Sequence, residues 1–169
     1  MLSIGKLNHN KPTIYFVGLS AKPNCDHLST QTNTGSVIEQ IIHHIPDMTS
    51  IKTNLVKDPP LDRRGNLRYP NFMEMERGWN DLLYDMTDIS PNLIVTLGLQ
   101  VSFFIRTKMG IQPAKPILPP DFSSQTYLSQ SASYLLSVHH PSFVVVYRRS
   151  YIENYVNSVV QSILSIVLT

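Results

Sequence analysis

Cysteine is almost missing from this chain: Cys25 is the only one in 169 residues. A single thiol excludes an internal disulfide and leaves no cysteine set for a zinc or iron–sulfur site within one chain. Charge is sparse as well, with Asp, Glu, Lys and Arg together at 15% and a formal net charge of +2. So mild an excess permits nucleic-acid binding through a local patch and does not by itself argue for it. Membrane signals are weak. Ser158 to Thr169 is apolar, but its amphipathic spacing fits a packed helix better than insertion, and Met1 to Thr13 lacks the apolar stretch and small-residue cleavage site of a signal peptide. His43 and His44 are helical neighbours that point apart and do not chelate together. No glycine-rich phosphate loop is present. The expectation is a soluble, cytoplasmic, monomeric protein with one domain over residues 1–169 and no cofactor.

What is present is a 42% apolar fraction, ordinary for a globular chain and enough for one substantial core. Short buried runs alternate with helical periodicity. Thr13 to Ser20, Ile51 to Val56, Leu93 to Leu97 and Tyr134 to Val138 read as strands. Between the first two, Val37, Ile38, Ile41, Ile42 and Ile45 share a helical face that opens near Gly35 and stops at Pro46. Pro70 suits a first helical position; after it Phe72, Met75, Trp79, Leu82, Leu83 and Met86 recur at helical spacing. Trp79, Met73, Met75 and Met86 are therefore expected in the core. Gln100 to Met109 is a shorter helix with Gly110 as its stop. Pro113 to Gln125 reads as irregular. A final helix begins at Ser150, with Glu153 completing a capping-box pattern, and carries the stripe Ile152, Tyr155, Val156, Val159, Val160, Ile163, Leu164 and Val167. Such alternation implies right-handed crossovers and a three-layer α/β/α fold with a central four-stranded parallel sheet.

Three polar loops leave the carboxyl ends of these strands, where a parallel sheet builds its site. The first is Gly18-Leu19-Ser20-Ala21. The second lies in Thr53-Asn54-Leu55-Val56-Lys57. The third is His140-Pro141-Ser142. A histidine held by the turn that its proline imposes is a suitable neutral donor to a developing anion. An amide, in turn, offers both a donor and an acceptor. The triplet, the asparagine and the glycine loop together resemble the uracil-DNA glycosylase superfamily, over roughly Thr13 to Ile163.

That resemblance implies a monofunctional hydrolase that flips uracil out of single- or double-stranded DNA and cleaves its N-glycosidic bond. It implies His140 as the group stabilising the leaving base and Asn54 as the reader of uracil, with Gly18, Leu19, Ala21 and Leu28 around the base. The segment after the triplet would then enter the minor groove, with Phe143 or Val144 as an apolar wedge; the alternative is that Val144 to Val146 are core and Arg148 and Arg149 are solvated. Ser142, Arg148 and Arg149 would hold phosphates. Arg63, Arg64 and Arg68 form a further basic cluster in a proline-bounded loop. The first motif departs from the pattern. The best-known family has Gly-Gln-Asp-Pro-Tyr here and the iron–sulfur family Gly-Glu-Ala-Pro-Gly, whereas this chain continues from Gly18 with Leu19, Ser20, Ala21 and Lys22. Neither carboxylate position holds a carboxylate, and lysine stands where a tyrosine excludes the methyl of thymine. Ser20 or Asp26 is then left to assist the water, and a slow enzyme is expected. Two other readings stay open: a DNA-binding protein of the same fold with weak or no catalysis, serving replication or a mobile element, and a glycosylase for another damaged base.

Overall fold

The computed structural model describes residues 11–111, 125–128 and 133–168. The irregular stretch expected over Pro113 to Gln125 lies, apart from Gln125, outside them. In chain order the described elements are β1 (Thr13–Ser20), α1 (Asn33–His43), β2 (Thr49–Val56), α2 (Phe72–Ile89), β3 (Leu93–Leu97), α3 (Leu99–Lys108), β4 (Gln125–Leu128), β5 (Tyr134–Val138), α4 (Pro141–Tyr147) and α5 (Ile152–Val167). They form one sheet in the order β2-β1-β3-β5-β4. The first four of these are parallel, as the alternating pattern requires. β4 adds to the edge antiparallel to β5; at four residues it is too short to show a periodic pattern.

Period-two alternation divides the core into two layers. Ile14 and Phe16 of β1 point to the face covered by α1 and α5, while Tyr15 and Val17 point to the face covered by α2 and α3. The stripe expected on the last helix faces inward, with Tyr155, Val156, Val159, Val160 and Ile163 all buried. Each large apolar side chain removed from water in this way contributes roughly 1.5–3 kcal/mol. Met73 is the exception to the expected methionine core, since it is exposed on α2.

Helix starts follow side-chain caps more closely than proline positions. Pro70 precedes the cap of α2. Asn71 Oδ1 accepts from the Glu74 N–H at 2.9 Å, and Glu74 Oε2 accepts from the Asn71 N–H at 2.8 Å. This reciprocal box satisfies two donors that a proline start would leave open. The capping box expected at Ser150 and Glu153 does not form. Ser150 already sits in a 3-10 turn, Arg149–Tyr151, so it lacks the extended backbone that a cap needs. Tyr151 begins α5 with no side-chain cap.

The chain leaves β1 to pair β2 on one side and later returns to pair β3 on the other. The carboxyl ends of β1 and β3 therefore flank a topological switch point, where open α/β sheets hold their sites. One buried bond ties the back of this region to the last helix: the Tyr155 hydroxyl donates to the His139 carbonyl at 2.6 Å. Burial raises the pKa of this phenol, so the bond keeps its proton at any ordinary pH. Tyr155→Phe is expected to cost about 1–2 kcal/mol, read as a lower urea midpoint with an unchanged slope.

Candidate functional site

Two close approaches build the carboxyl edge. In the β1–β2 register Gly18 lies directly opposite Asn54. A Cβ on Gly18 would sit 2.4 Å from Asn54 Oδ1, so only glycine lets the amide lie across the end of β1. On the other side of the switch point Leu97 pairs with Val138, and the Gly98 N–H donates to the Val138 carbonyl at 2.9 Å. This brings Gly98 against the ring of His140, 3.1 Å from where a Cβ would be, and Gly98 also has φ of +102°. Both facts require glycine there. Asn54 and His140 thus open onto one cleft of about 610 Å3, which Leu19, Ser20, Lys22, Asp26, Leu28, Gln100 and Phe143 also line. That volume lies in the range of small-molecule sites, roughly 300–1,000 Å3.

His140 is the cap of α4, and the cap fixes its chemistry. The Ser142 backbone N–H points at Nδ1 from 3.3 Å, and the Ser142 hydroxyl lies 2.7 Å from the same atom. A backbone N–H can only donate, so Nδ1 must offer its lone pair and the neutral ring carries its hydrogen on Nε2. Burial, and secondarily the charge of Lys22, lowers the pKa of this ring. The result is a neutral imidazole with a fixed tautomer and one N–H left to give.

The loop Ala21 to Thr32 forms the remaining wall. Leu28 is buried although its backbone has φ of +51°, a conformation that costs a non-glycine residue about 1–2 kcal/mol. Its side chain lies under Gly18. Asp26 lines the cleft and is the only carboxylate among the described residues that do so. Behind Asn54, its Nδ2 lies 3.1 Å from His27 Nδ1.

Several expected roles are corrected by these positions. Val144 is fully buried in the core beneath α4 and is no wedge; Phe143, which faces the cleft and stacks on His139, keeps that position. Ser142 turns its hydroxyl to His140 and not outward. The Ala21 N–H donates to the Val56 carbonyl at 2.9 Å, so it is not free for a base. Arg68 spends its guanidinium on Glu74, at 2.9 and 2.7 Å, and on the Leu61 and Tyr69 carbonyls, which makes it a loop clamp. Arg148 and Arg149, whose expected role is not among these corrections, are exposed beyond α4 and outside the cleft lining. Gly98 and His27 are the residues that sequence reasoning missed. Gly98 carried a signal, a glycine at a strand exit, whereas His27 carried none. Among the described residues no three His, Cys, Asp or Glu side chains gather where a metal would be held. No helix among them is long and apolar enough to cross a membrane.

No protein-family profile matches the chain, and no curated protein matches it in sequence. In structure it is similar to wild-type SMUG2 of Pedobacter heparinus, with a TM-score of 0.56 over 95% of this chain and 78% of that one, at 9% identity. The likeness shows a shared α/β fold with a parallel central sheet and helices around it. The electrostatics of His140 are directly measurable. Its NMR titration midpoint is expected below the ordinary 6.5, and Lys22→Gln should raise it by removing a positive neighbour. Because the folded ring resists protonation, stability is full above 6.5 and falls as pH drops from there through the folded-state value.

Proposed function

We propose that this chain is a DNA glycosylase that releases uracil. The observation that carries the reading is the tautomer of His140: a neutral ring whose Nε2–H is the one donor left, on the wall of a cleft shared with the Asn54 amide. The fold shared with SMUG2, a uracil-DNA glycosylase, adds support.

In this mechanism DNA presents a flipped uracil to the cleft. Asn54 accepts from the base N3–H and donates to O4, a pairing that cytosine cannot make. The bond between C1′ and N1 breaks, and its electron pair leaves with the base as a delocalised anion. His140 donates from Nε2 to the O2 oxygen as charge builds there. A preorganised donor of this kind is worth roughly 3–4 kcal/mol in a dry site. Lys22, whose charge is felt at His140, adds attraction for the same anion. Water adds its oxygen to the cationic C1′. Its proton passes to Asp26, or to solvent with Ser20 orienting the water, and solvent protonates the departed base. Phe143 fills the vacated stack, while Arg148 and Arg149 contact phosphates.

One observation favours the second reading, a DNA-binding protein with little catalysis. Leu19, at the position where the iron–sulfur family carries glutamate, packs its side chain against the apolar cluster of α2 and α3. Uracil release from single- and double-stranded oligonucleotides at enzyme excess decides between the two. Under the glycosylase reading, His140→Ala lowers release about 10²–10³-fold, and Asn54→Ala removes preference for uracil. DNA binding without release supports the second reading. Release that survives both substitutions overturns the assigned site.

A further inference from the structure

We infer that the tight hairpin over residues 60–69 is a second DNA contact, a rigid finger that holds Arg63 and Arg64 against phosphates of the strand whose nucleotide enters the cleft. The inference rests on DNA as the partner of that cleft, which the glycosylase and the DNA-binding readings share, and not on catalysis.

The sequence writes the turn of this hairpin plainly. Asp62-Arg63-Arg64-Gly65 has aspartate first and glycine fourth, the residues that a type I turn favours. The Gly65 N–H donates to the Asp62 carbonyl at 3.0 Å, and Asp62 Oδ1 accepts from the Arg64 and Asn66 N–H groups, both at 2.8 Å. Gly65 takes φ of +80°, which lets the chain double back so that the Asp62 N–H reaches the Asn66 carbonyl at 2.8 Å. Leu61 and Leu67 then pair antiparallel. Arg68 braces the base. Its guanidinium joins both Glu74 carboxylate oxygens to the Leu61 and Tyr69 carbonyls, and its N–H donates to the Pro60 carbonyl at 2.9 Å. A loop tied at so many points has little freedom left to lose when a ligand meets it.

The same bonds decide which charges are left over. Asp62 faces the backbone of its own turn, where the Asn66 N–H above all lowers its pKa. Arg68 holds the Glu74 carboxyl down at about 2. Arg63 and Arg64 remain, both exposed and in no ion pair among the described residues. A guanidinium fork matches the oxygens of a phosphate. The other end of the hairpin is the cleft itself, which Leu67, Arg68 and Tyr69 line. The three residues from Arg64 to Leu67 span at most about 10 Å. Phosphates follow one another about every 3.4 Å along one strand, so the tip stands within about three phosphates of the nucleotide in the cleft.

The test follows binding of the full chain across salt concentrations. The probe is a single-stranded oligonucleotide with one 2′-fluoro-deoxyuridine, whose fluorine opposes charge on the sugar and so resists cleavage. Arg63→Gln with Arg64→Gln removes two phosphate contacts. It should reduce the slope of log affinity against log salt by about 1.4 and weaken binding about 25-fold at 0.1 M salt, the gap closing towards 1 M. Lys11→Gln, before β1 at the amino edge of the sheet, should leave the slope unchanged. Asp62 separates positioning from charge. If net charge alone matters, removing this anion tightens binding. Under the inference Asp62→Ala weakens it, because the turn loosens, whereas Asp62→Asn keeps the Oδ1 acceptor and binds at least as well as wild type. A double arginine variant with the wild-type slope overturns the contact, and tighter binding by Asp62→Ala overturns the positioning. Wild-type protein that binds DNA but releases no uracil from an unmodified oligonucleotide overturns the glycosylase reading instead, and the slopes still decide the hairpin. Protein that binds no DNA overturns both.

Discussion

Close approach at the carboxyl edge of a parallel sheet is the constraint on which the rest of the site depends. Neighbouring strands lie about 4.8 Å apart, too close for a polar side chain to fold over the next strand end if that end carries a Cβ. Gly18 opposite Asn54 and Gly98 against His140 remove the obstruction on both sides of the switch point. The β2-β1-β3-β5 order then brings the two pairs to one cleft. Neither polar residue reaches that cleft through its own loop alone. Each is admitted by a glycine: Gly18 on the strand that pairs with that of Asn54, and Gly98 just past the end of β3, beside the exit of β5.

Once admitted, each polar group finds its partner in a different part of the chain. His140 is oriented by local chain: the proline that follows it starts α4, and the first turn of that helix directs a backbone N–H at Nδ1. A seven-residue helix is a small investment for a fixed tautomer. Asn54 sits inside a strand whose backbone is committed to the sheet, so its side-chain partner comes from across the fold, from the β1–α1 loop. This difference in origin explains how legible each was. The His-Pro-Ser triplet is contiguous, so the cap that orients His140 lies within three residues. The partner of Asn54 is 27 positions away, on a turn whose left-handed residue is a leucine where a reader of sequence expects glycine or asparagine.

The fold was open to sequence reading because two periods carry it. The alternation in Thr13 to Val17 and the 3.6-residue stripe of Ile152 to Val167 both follow from burial on known faces. Reading failed where a segment's propensity and its tertiary setting disagree. Phe143 to Val146 holds three consecutive valines and reads in the sequence as a wedge-bearing segment without helical structure, yet it is helical. Burial of Val144 against α1 and α5 outweighs the few tenths of a kcal/mol per residue that β-branching costs a helix. The sign of that competition decides which side chain faces the cleft: a helix exposes Phe143 and Tyr147 together and hides Val144, where a strand would alternate them.

The missing carboxylate of the first motif acquires a physical setting from the same geometry. A carboxylate at Leu19 would have to leave the apolar cluster into which that side chain packs, or be buried there at a cost of several kcal/mol. The cleft instead carries a cation: Lys22 adds to burial in lowering the pKa of His140, and the one carboxylate among the described residues of the wall, Asp26, sits on an exposed turn. Such a site favours negative charge on a leaving base more than positive charge on a sugar. Under the proposed reading the two halves of glycosidic cleavage are therefore served unequally. The donor to the base, worth about 10²–10³ in rate, is preorganised by α4. Support for the cationic sugar and its water falls to a carboxylate screened by solvent, where Coulomb attraction at 4 Å is nearer 1 kcal/mol than the 4 kcal/mol of a partly buried pair. Under that reading bond breaking is led by the leaving group, and capture of the sugar by water is the less assisted half.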